Sequence, residues 1–300
     1  MPPSEVTEAQ APDTPGAVRD ALAESGLAPL HRLGQHFLVD RRITTRIAEA
    51  VGVFRQPGCL EIGPGLGALT AALLAAGLRV VAIELDRGLC AFLRARADAA
   101  QPLTIIEGDA RESDLAALSP PETSVLVGNL PYYASAPLLR RALETPYPGA
   151  VLMLQREVAE RLEALPGGDG RGAVTVLREA TCDVERLFAV PPGAFYPRPE
   201  VASAVVRLRR RPDALAGRRY RALEVLVGQA FRYRRKGMRQ ALRHGSGLAA
   251  AAVERALARA GVDPARRPES LGLGAWLALV DAVGAQGGEA PCLPAAPAGS

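Results

Sequence analysis

The chain has 300 residues, 48% of them hydrophobic, and carries 36 basic against 32 acidic side chains for a net charge of +4. That length makes one large or two modest domains, and ordinary hydrophobicity with 23% charged residues excludes a wholly disordered chain. No apolar run approaches the roughly 18 residues of a membrane span, and the first twenty residues hold Pro and acids in place of a basic-then-apolar leader. The expectation is a soluble cytoplasmic protein.

In chain order, residues 1–18 read as a disordered tail rich in Pro, Ala and acids. Strands are expected at Cys59–Ile62, Arg79–Glu84, Leu103–Glu107, Ser124–Val127, Ala150–Leu154, Ala173–Thr181 and Ser203–Leu208. Helices are expected near 42–51, 67–76, 87–98, 135–143 and 156–164. Continuously apolar strands alternating with helices predict a doubly wound parallel α/β sheet covered on both faces. Past Arg211 only helical patterns follow, near 219–231, 248–260 and 271–283. The predicted organisation is an α/β domain over 19–211, a small helical domain over 212–283 and a second tail over 284–300.

Cys59, Cys90, Cys182 and Cys292 form no CxxC pair and have no His at metal-ligand spacing, so neither a zinc site nor a disulfide framework is expected. Thirty-five of the 36 basic residues are Arg, Lys236 being the exception, which reads first as the mark of a GC-rich genome.

Cys59 to Thr70 reads as strand, glycine turn and helix start, with Gly63, Gly65 and Gly67 spaced G-x-G-x-G. That spacing matches neither the dinucleotide G-x-G-x-x-G nor a phosphate loop ending in GK[ST]. Glycine there lets the backbone turn tightly and approach a ligand. Glu84 ends the next strand, where a carboxylate can accept both hydroxyls of a ribose, and Asp109 follows the third, where it can meet an adenine amine. An adenosine ligand without pyrophosphate, such as S-adenosylmethionine, fits this set.

The fourth strand delivers Asn129-Leu130-Pro131-Tyr132. An exocyclic base amine is a poor nucleophile because its lone pair is delocalised into the ring. The Asn129 side-chain oxygen and the Leu130 carbonyl could hold its two hydrogens and favour a tetrahedral nitrogen aimed at a methyl donor. Pro131 fixes the backbone, and Tyr132 offers a stacking face. Phe195, in Phe195-Tyr-Pro-Arg-Pro-Glu-Val-Ala-Ser203, is expected to close on the other face of an extruded base.

Gly34-Gln-His-Phe-Leu-Val-Asp40, the glycine loop, Glu84, Gly108-Asp109, Asn129–Tyr132, Gln155–Leu162, Phe195–Val205 and Phe231–Lys236 occur in the order of one family. Over roughly residues 30–283 the chain resembles the small-subunit ribosomal RNA adenine dimethyltransferases (the KsgA/RsmA family). The resemblance implies a Rossmann-like class I S-adenosylmethionine-dependent methyltransferase sheet with a small C-terminal α-helical domain. It implies dimethylation of the 6-amino groups of two adjacent adenosines in the 3′-terminal hairpin loop of 16S rRNA, on an immature 30S particle. Donor contacts would fall on Gln35, His36, Leu38, Gly63, Gly65, Glu84, Leu85, Asp109, Ala110 and Asn129. The reactive amine would face Asn129, Leu130, Pro131 and Tyr132, with Phe195 stacking. His36 stands where Asn is usual, and Tyr133-Ala134-Ser135 and Gln240 also depart from the pattern.

Between Arg207 and Arg243, thirteen basic side chains face only Asp213 and Glu224, a net +11 that leaves −7 for the rest. Basic residues interleaved with Tyr220, Phe231 and Tyr233 suit an RNA backbone. The expected contacts are Arg218, Arg221, Arg232, Arg234, Arg235, Lys236 and Arg239, with Arg32 and Arg171 as further candidates. No oligomerisation stripe is visible, so a monomer is expected. Two alternatives share parts of this pattern: a large-subunit rRNA adenine methyltransferase of the antibiotic-resistance type, and an assembly or transcription factor that uses the fold mainly for binding. Gly34-Gln35 and the FRYRRK run favour the small-subunit enzymes over the first, and intact Glu84, Asp109 and Asn129 favour catalysis over the second.

Overall fold

A computed structural model describes residues 11–29 and 34–285. They divide into two compact units: 11–159 with 182–211, and 160–181 with 212–285. Residues 160–181, expected in the first domain, thus cluster with the second. Among the described residues no helix is long and apolar enough to cross a membrane.

The first unit opens with α1 (Pro15–Glu24), β1 (Phe37–Leu38) and α2 (Arg41–Gly52). Helix α1 therefore starts before residue 18, the expected end of the loose tail. The Thr14 side chain caps the Ala17 N–H, Pro15 starts the helix, and Val18, Ala21 and Leu22 are buried. The chain continues through β2 (Gly58–Ile62), α3 (Ala68–Ala75), β3 (Arg79–Glu84), α4 (Arg87–Arg96), β4 (Leu103–Glu107), α5 (Leu115–Leu118), β5 (Ser124–Asn129), α6 (Ser135–Glu144) and β6 (Gly149–Gln155). Next come α7 (Arg156–Glu163), α8 (Ala173–Thr181), β7 (Cys182–Val190), β8 (Phe195–Tyr196) and β9 (Ser203–Arg210).

Seven strands form one sheet in the order β4-β3-β2-β5-β6-β9-β7. The five from β4 to β6 are parallel, whereas β9 runs antiparallel to both β6 and β7. The sheet is therefore mixed, a Rossmann-like core with an antiparallel edge. Strands β2, β5 and β6 are buried almost throughout, which explains their unbroken apolar runs. Alternate residues such as Cys59, Val80, Val125 and Val151 join Ile47, Val51, Leu69 and Leu73 of α2 and α3 in one hydrophobic core. Three of the four cysteines, Cys59, Cys90 and Cys182, are buried free thiols. Strand order reverses between β2 and β5, so the carboxyl ends of β2, β3, β4 and β5 open a crevice on one edge.

The strand expected at Ala173–Thr181 is the helix α8. Its Val and Thr content reads as β, yet Val176, Leu177 and Ala180 share a buried face at helical spacing, and the Thr181 hydroxyl bonds the Leu177 carbonyl. Tertiary burial overrides propensity here. The strand lies just beyond, in β7, where partial exposure and a register shift between Arg186 and Phe188 blur the alternation.

The second unit holds α8, α9 (Gly217–Phe231), α10 (Met238–Gly245), α11 (Ala250–Arg259) and α12 (Leu273–Gly284). Trp276, Tyr220, Leu223, Val227 and Leu257 fill its core. Arg171, a candidate for the RNA surface, is instead 2% exposed. It pairs with Glu179 at 2.6 and 2.8 Å and bonds the Ala164 and Leu271 carbonyls, a buried structural cation. Arg32, Cys292 and most of the C-terminal tail lie outside the described residues.

Candidate active site and nucleic-acid surface

The crevice is a cavity of about 1080 Å³ including its open mouth, and all ten residues expected at a methyl donor line it. Gly63, Gly65 and Gly67 have φ of 67°, 61° and 87°. At Gly65 a Cβ would lie 3.2 Å from the Phe37 ring, and at Gly67 2.8 Å from the Leu93 side chain, so the turn is built on both backbone sign and close approach. Glu84, at the end of β3, is 8% exposed and accepts from the Gly65 and Asp86 N–H groups at 3.1 and 3.0 Å. Burial pushes its carboxyl above the ordinary range while those two donors oppose the shift.

Asp109 follows β4 and is held by Arg111, whose Nε lies 3.0 and 2.9 Å from its two oxygens. The guanidinium holds the Asp109 carboxyl below its usual range. Gln35 is tied to the wall through Asp86, 3.0 Å from its Nε2. Leu85 is exposed at the mouth, whereas Leu38 and Ala110 are buried in the lining.

At the end of β5, the Asn129 Nδ2 donates to the His36 carbonyl at 3.2 Å, which fixes the amide and leaves Oδ1 as the acceptor. The Leu130 N–H donates to the Met153 carbonyl at 3.1 Å, and its side chain is 1% exposed. Pro131 has φ −62° and ψ 137° and leads into a tight turn that the Ser135 hydroxyl closes by donating to the Pro131 carbonyl at 2.9 Å. The Tyr132 hydroxyl lies 2.9 Å from Ser203 Oγ, and its ring centroid is 5.3 Å from that of His36. His36 Nδ1 in turn sits 2.7 Å from the Pro197 carbonyl.

Phe195 is the exception. It is 3% exposed, packs in the core with Ile43, Val190 and Val205, and does not line the cavity. Pairing of Leu38 with Phe195 between β1 and β8 turns its ring inward. The aromatic group beside Tyr132 is His36, which the sequence offers as a donor contact and a departure from pattern but not as a stacking partner.

Four further residues belong to the site. Tyr133 is 46% exposed at the mouth beside Arg111, and Ser203 holds Tyr132. Glu61 lines the cavity at 1% exposure, accepts from Thr70 Oγ1 at 2.7 Å, and has its carboxyl pushed up by burial to about 8. Its place two residues before the first loop glycine is the available signal for Glu61; for Ser203 and Arg111, brought in by tertiary contact and a flexible side chain, there is none.

The family profile of the ribosomal RNA adenine dimethylases matches residues 30–281. The chain belongs to that family. This dimethylase-family chain is 42% identical over 272 residues to the ribosomal RNA small subunit methyltransferase A of Phenylobacterium zucineum, covering 90% of this chain and 93% of the relative. It is 42% identical over 286 residues to the protein of the same name from Rhodospirillum rubrum, covering 92% and 97%. Among solved structures it resembles a dimethyladenosine transferase from Plasmodium falciparum in fold (TM-score 0.66, 23% identity, 81% of this chain and 96% of that one). The 23S rRNA methyltransferase ErmE aligns with TM-score 0.57 and 29% identity over 82% and 98%. The dimethylase family are S-adenosylmethionine-dependent enzymes, and the cavity fits that donor: a buried carboxylate at β3, a glycine turn that a Cβ would fill, and an acid after β4.

In the helical unit the basic run does not form one patch. Arg207 pairs with Glu185 at 2.6 Å and Arg210 bonds the Leu143 and Thr145 carbonyls, both in the first unit. Arg219 is bidentate to Asp281, and Arg239, an expected RNA contact, is bidentate to Glu254. Exposed Arg218 and Arg221 start α9, while exposed Arg232, Arg234, Arg235 and Lys236 follow its end, which lies roughly 15–20 Å along the axis from the first two at 1.5 Å per residue. Tyr220 is buried at 2%, and Phe231 stacks on buried Trp276 with centroids 6.0 Å apart, so neither ring is offered outward.

Proposed function

We propose that this enzyme transfers methyl groups from S-adenosylmethionine to the 6-amino groups of two adjacent adenosines in the 3′-terminal hairpin loop of small-subunit rRNA. It acts in the cytoplasm, as a monomer, on the immature 30S particle. The first unit supplies the catalytic domain, and the second, which includes residues 160–181, supplies the RNA-binding helices. The observation that carries this reading is the fixed Asn129 amide: Nδ2 donates to the His36 carbonyl, which sets the orientation of the group and leaves Oδ1, an acceptor, for an exocyclic amine.

Glu84 would hold the ribose hydroxyls with the lone pairs that the Gly65 and Asp86 N–H groups leave. Asp109 would accept from the donor's adenine amine beside Ala110, with Arg111 neutralising the carboxylate. When bound, the donor supplies an electrophilic methyl group. Asn129 Oδ1 and the Leu130 carbonyl would hold the two amine hydrogens of the target adenine, so that the nitrogen becomes tetrahedral and its lone pair leaves conjugation with the ring. Tyr132, locked by Ser203 and flanked by His36, would give the base a face to stack on. Most of the rate gain comes from orientation, and no strong general base is needed.

Methyl incorporation into unmodified small subunits, compared with naked large-subunit RNA and read by mass spectrometry, tests this. Dimethyladenosine at two neighbouring positions of the small-subunit RNA is the expected product. Transfer to large-subunit RNA alone would reverse the substrate assignment.

A further inference from the structure

The turn between α9 and α10 carries more than charge. Tyr233 is 38% exposed at its centre, flanked by exposed Arg232, Arg234, Arg235 and Lys236. Its ring lies against that of exposed His244, with centroids 5.5 Å apart and planes at 38°. Of the three aromatics in the basic run, this is the one that faces solvent.

The pair is held in place by backbone. Tyr233, Arg234 and Lys236 N–H groups donate to the Ala230, Phe231 and Tyr233 carbonyls at 3.0, 3.3 and 2.8 Å. At the start of α10, a Cβ on Gly237 would lie 2.9 Å from the Pro264 carbonyl oxygen. At its end, a Cβ on Gly245 would lie 2.6 Å from the Gln229 carbonyl oxygen of α9. Those two close approaches seat α10 against its neighbours and bring His244 beside Tyr233. A half-exposed aromatic ring, backed by a second ring and ringed by cations on an ordered turn, has the parts of a nucleobase platform: a flat face to stack on and charges to hold the flanking phosphates.

We propose that Tyr233 and His244 form a stacking platform for one unpaired nucleobase of the RNA substrate, separate from the methylation cavity. The proposal rests on the rRNA reading above and deepens it by giving the helical unit a preference for unstacked bases rather than for phosphate alone. Duplex RNA, whose bases are stacked, offers the platform nothing.

The test uses the full chain without donor, on two short RNA hairpins identical except for a single bulged 2-aminopurine in one. The wild type is expected to bind the bulged hairpin about 10-fold more tightly and to quench its fluorescence. Tyr233→Ala is expected to lose both the preference and the quenching, and Tyr233→Phe to keep them. Because a stacking residue releases no counterions, the slope of log K against log salt stays unchanged in Tyr233→Ala, whereas Arg234→Ala lowers it by about one. An unchanged thermal unfolding curve establishes that the Ala variant is folded, and an unfolded one is replaced by Tyr233→Leu. Retained preference in the folded Ala or Leu variant overturns the platform, as does a wild type that binds both hairpins equally. So does a variant that loses affinity for intact subunits but not for either hairpin, since that outcome makes the ring a protein contact. Failure of the methyltransfer reading is seen separately, as no incorporation by the wild type into unmodified subunits.

Discussion

Around the cavity, Glu84, Asp109, Asn129 and Tyr132 are each held by a named neighbour at about 3 Å, Glu84 buried and the other three partly so. Arg232, Arg234, Arg235 and Lys236 in the helical unit are exposed and form no ion pair among the described residues. The first arrangement suits orientation chemistry, where a misplacement of about 1 Å can cost 10²-fold. The second suits binding by diffuse charge, where each cation adds a similar, salt-dependent share. Damage in the two places should therefore fail differently: in rate at the cavity, in salt-sensitive affinity at the turn.

The largest effect is expected at Asn129. Asn129→Ala should lower methyl incorporation into unmodified small subunits by at least about 10²-fold while donor affinity, measured by calorimetry, falls at most several-fold. Near-normal incorporation would break the orientation account. Reversing charge at Arg234 and Arg235 together should weaken subunit binding by more than about 10-fold at physiological salt and cut the salt slope by roughly one per residue. Donor affinity should not move; if it does, the two regions are not separable in function. Glu84→Ala should weaken donor binding by roughly 10- to 100-fold, the worth of charge-assisted hydrogen bonds in a buried site. Unchanged calorimetric affinity would reject the ribose assignment.

The smallest effect sharpens the contrast through pH. Glu61, raised from 4.5 to about 8, keeps its proton in the folded chain where the unfolded chain has released it. Its contribution to stability is full below about pH 4.5 and is lost as the pH rises to about 8. Glu61→Gln keeps an acceptor for Thr70 and should flatten this slope, standing on the order of 2–4 kcal/mol closer to its acid stability at pH 8 than the wild type. Chemical denaturation from pH 4.5 to 8 measures it, and parallel curves would contradict the buried, protonated Glu61.

What is legible in the sequence follows the same division. The glycine turn, Glu84, Asp109 and Asn129 to Tyr132 can be read because strand ends and backbone sign restrict residue type at fixed positions. Phe195 cannot be placed, since its role hangs on which way a two-residue strand turns its ring, and β1 turns it into the core. Helix α8 reads as a strand from β-branched content that burial overrides. The +11 run reads as one surface, but Arg207, Arg210, Arg219 and Arg239 are engaged by partners distant in sequence. Net charge along a chain says nothing of which cations are already answered.

The most direct test of the central claim is mass spectrometry of rRNA from cells lacking this chain, complemented with the wild type or with Asn129→Ala. The account predicts that dimethyladenosine disappears from the small-subunit 3′ hairpin on deletion, returns with the wild type and stays absent with Asn129→Ala. Dimethyladenosine persisting in the deletion strain, or restored by the Asn129 variant, would contradict it.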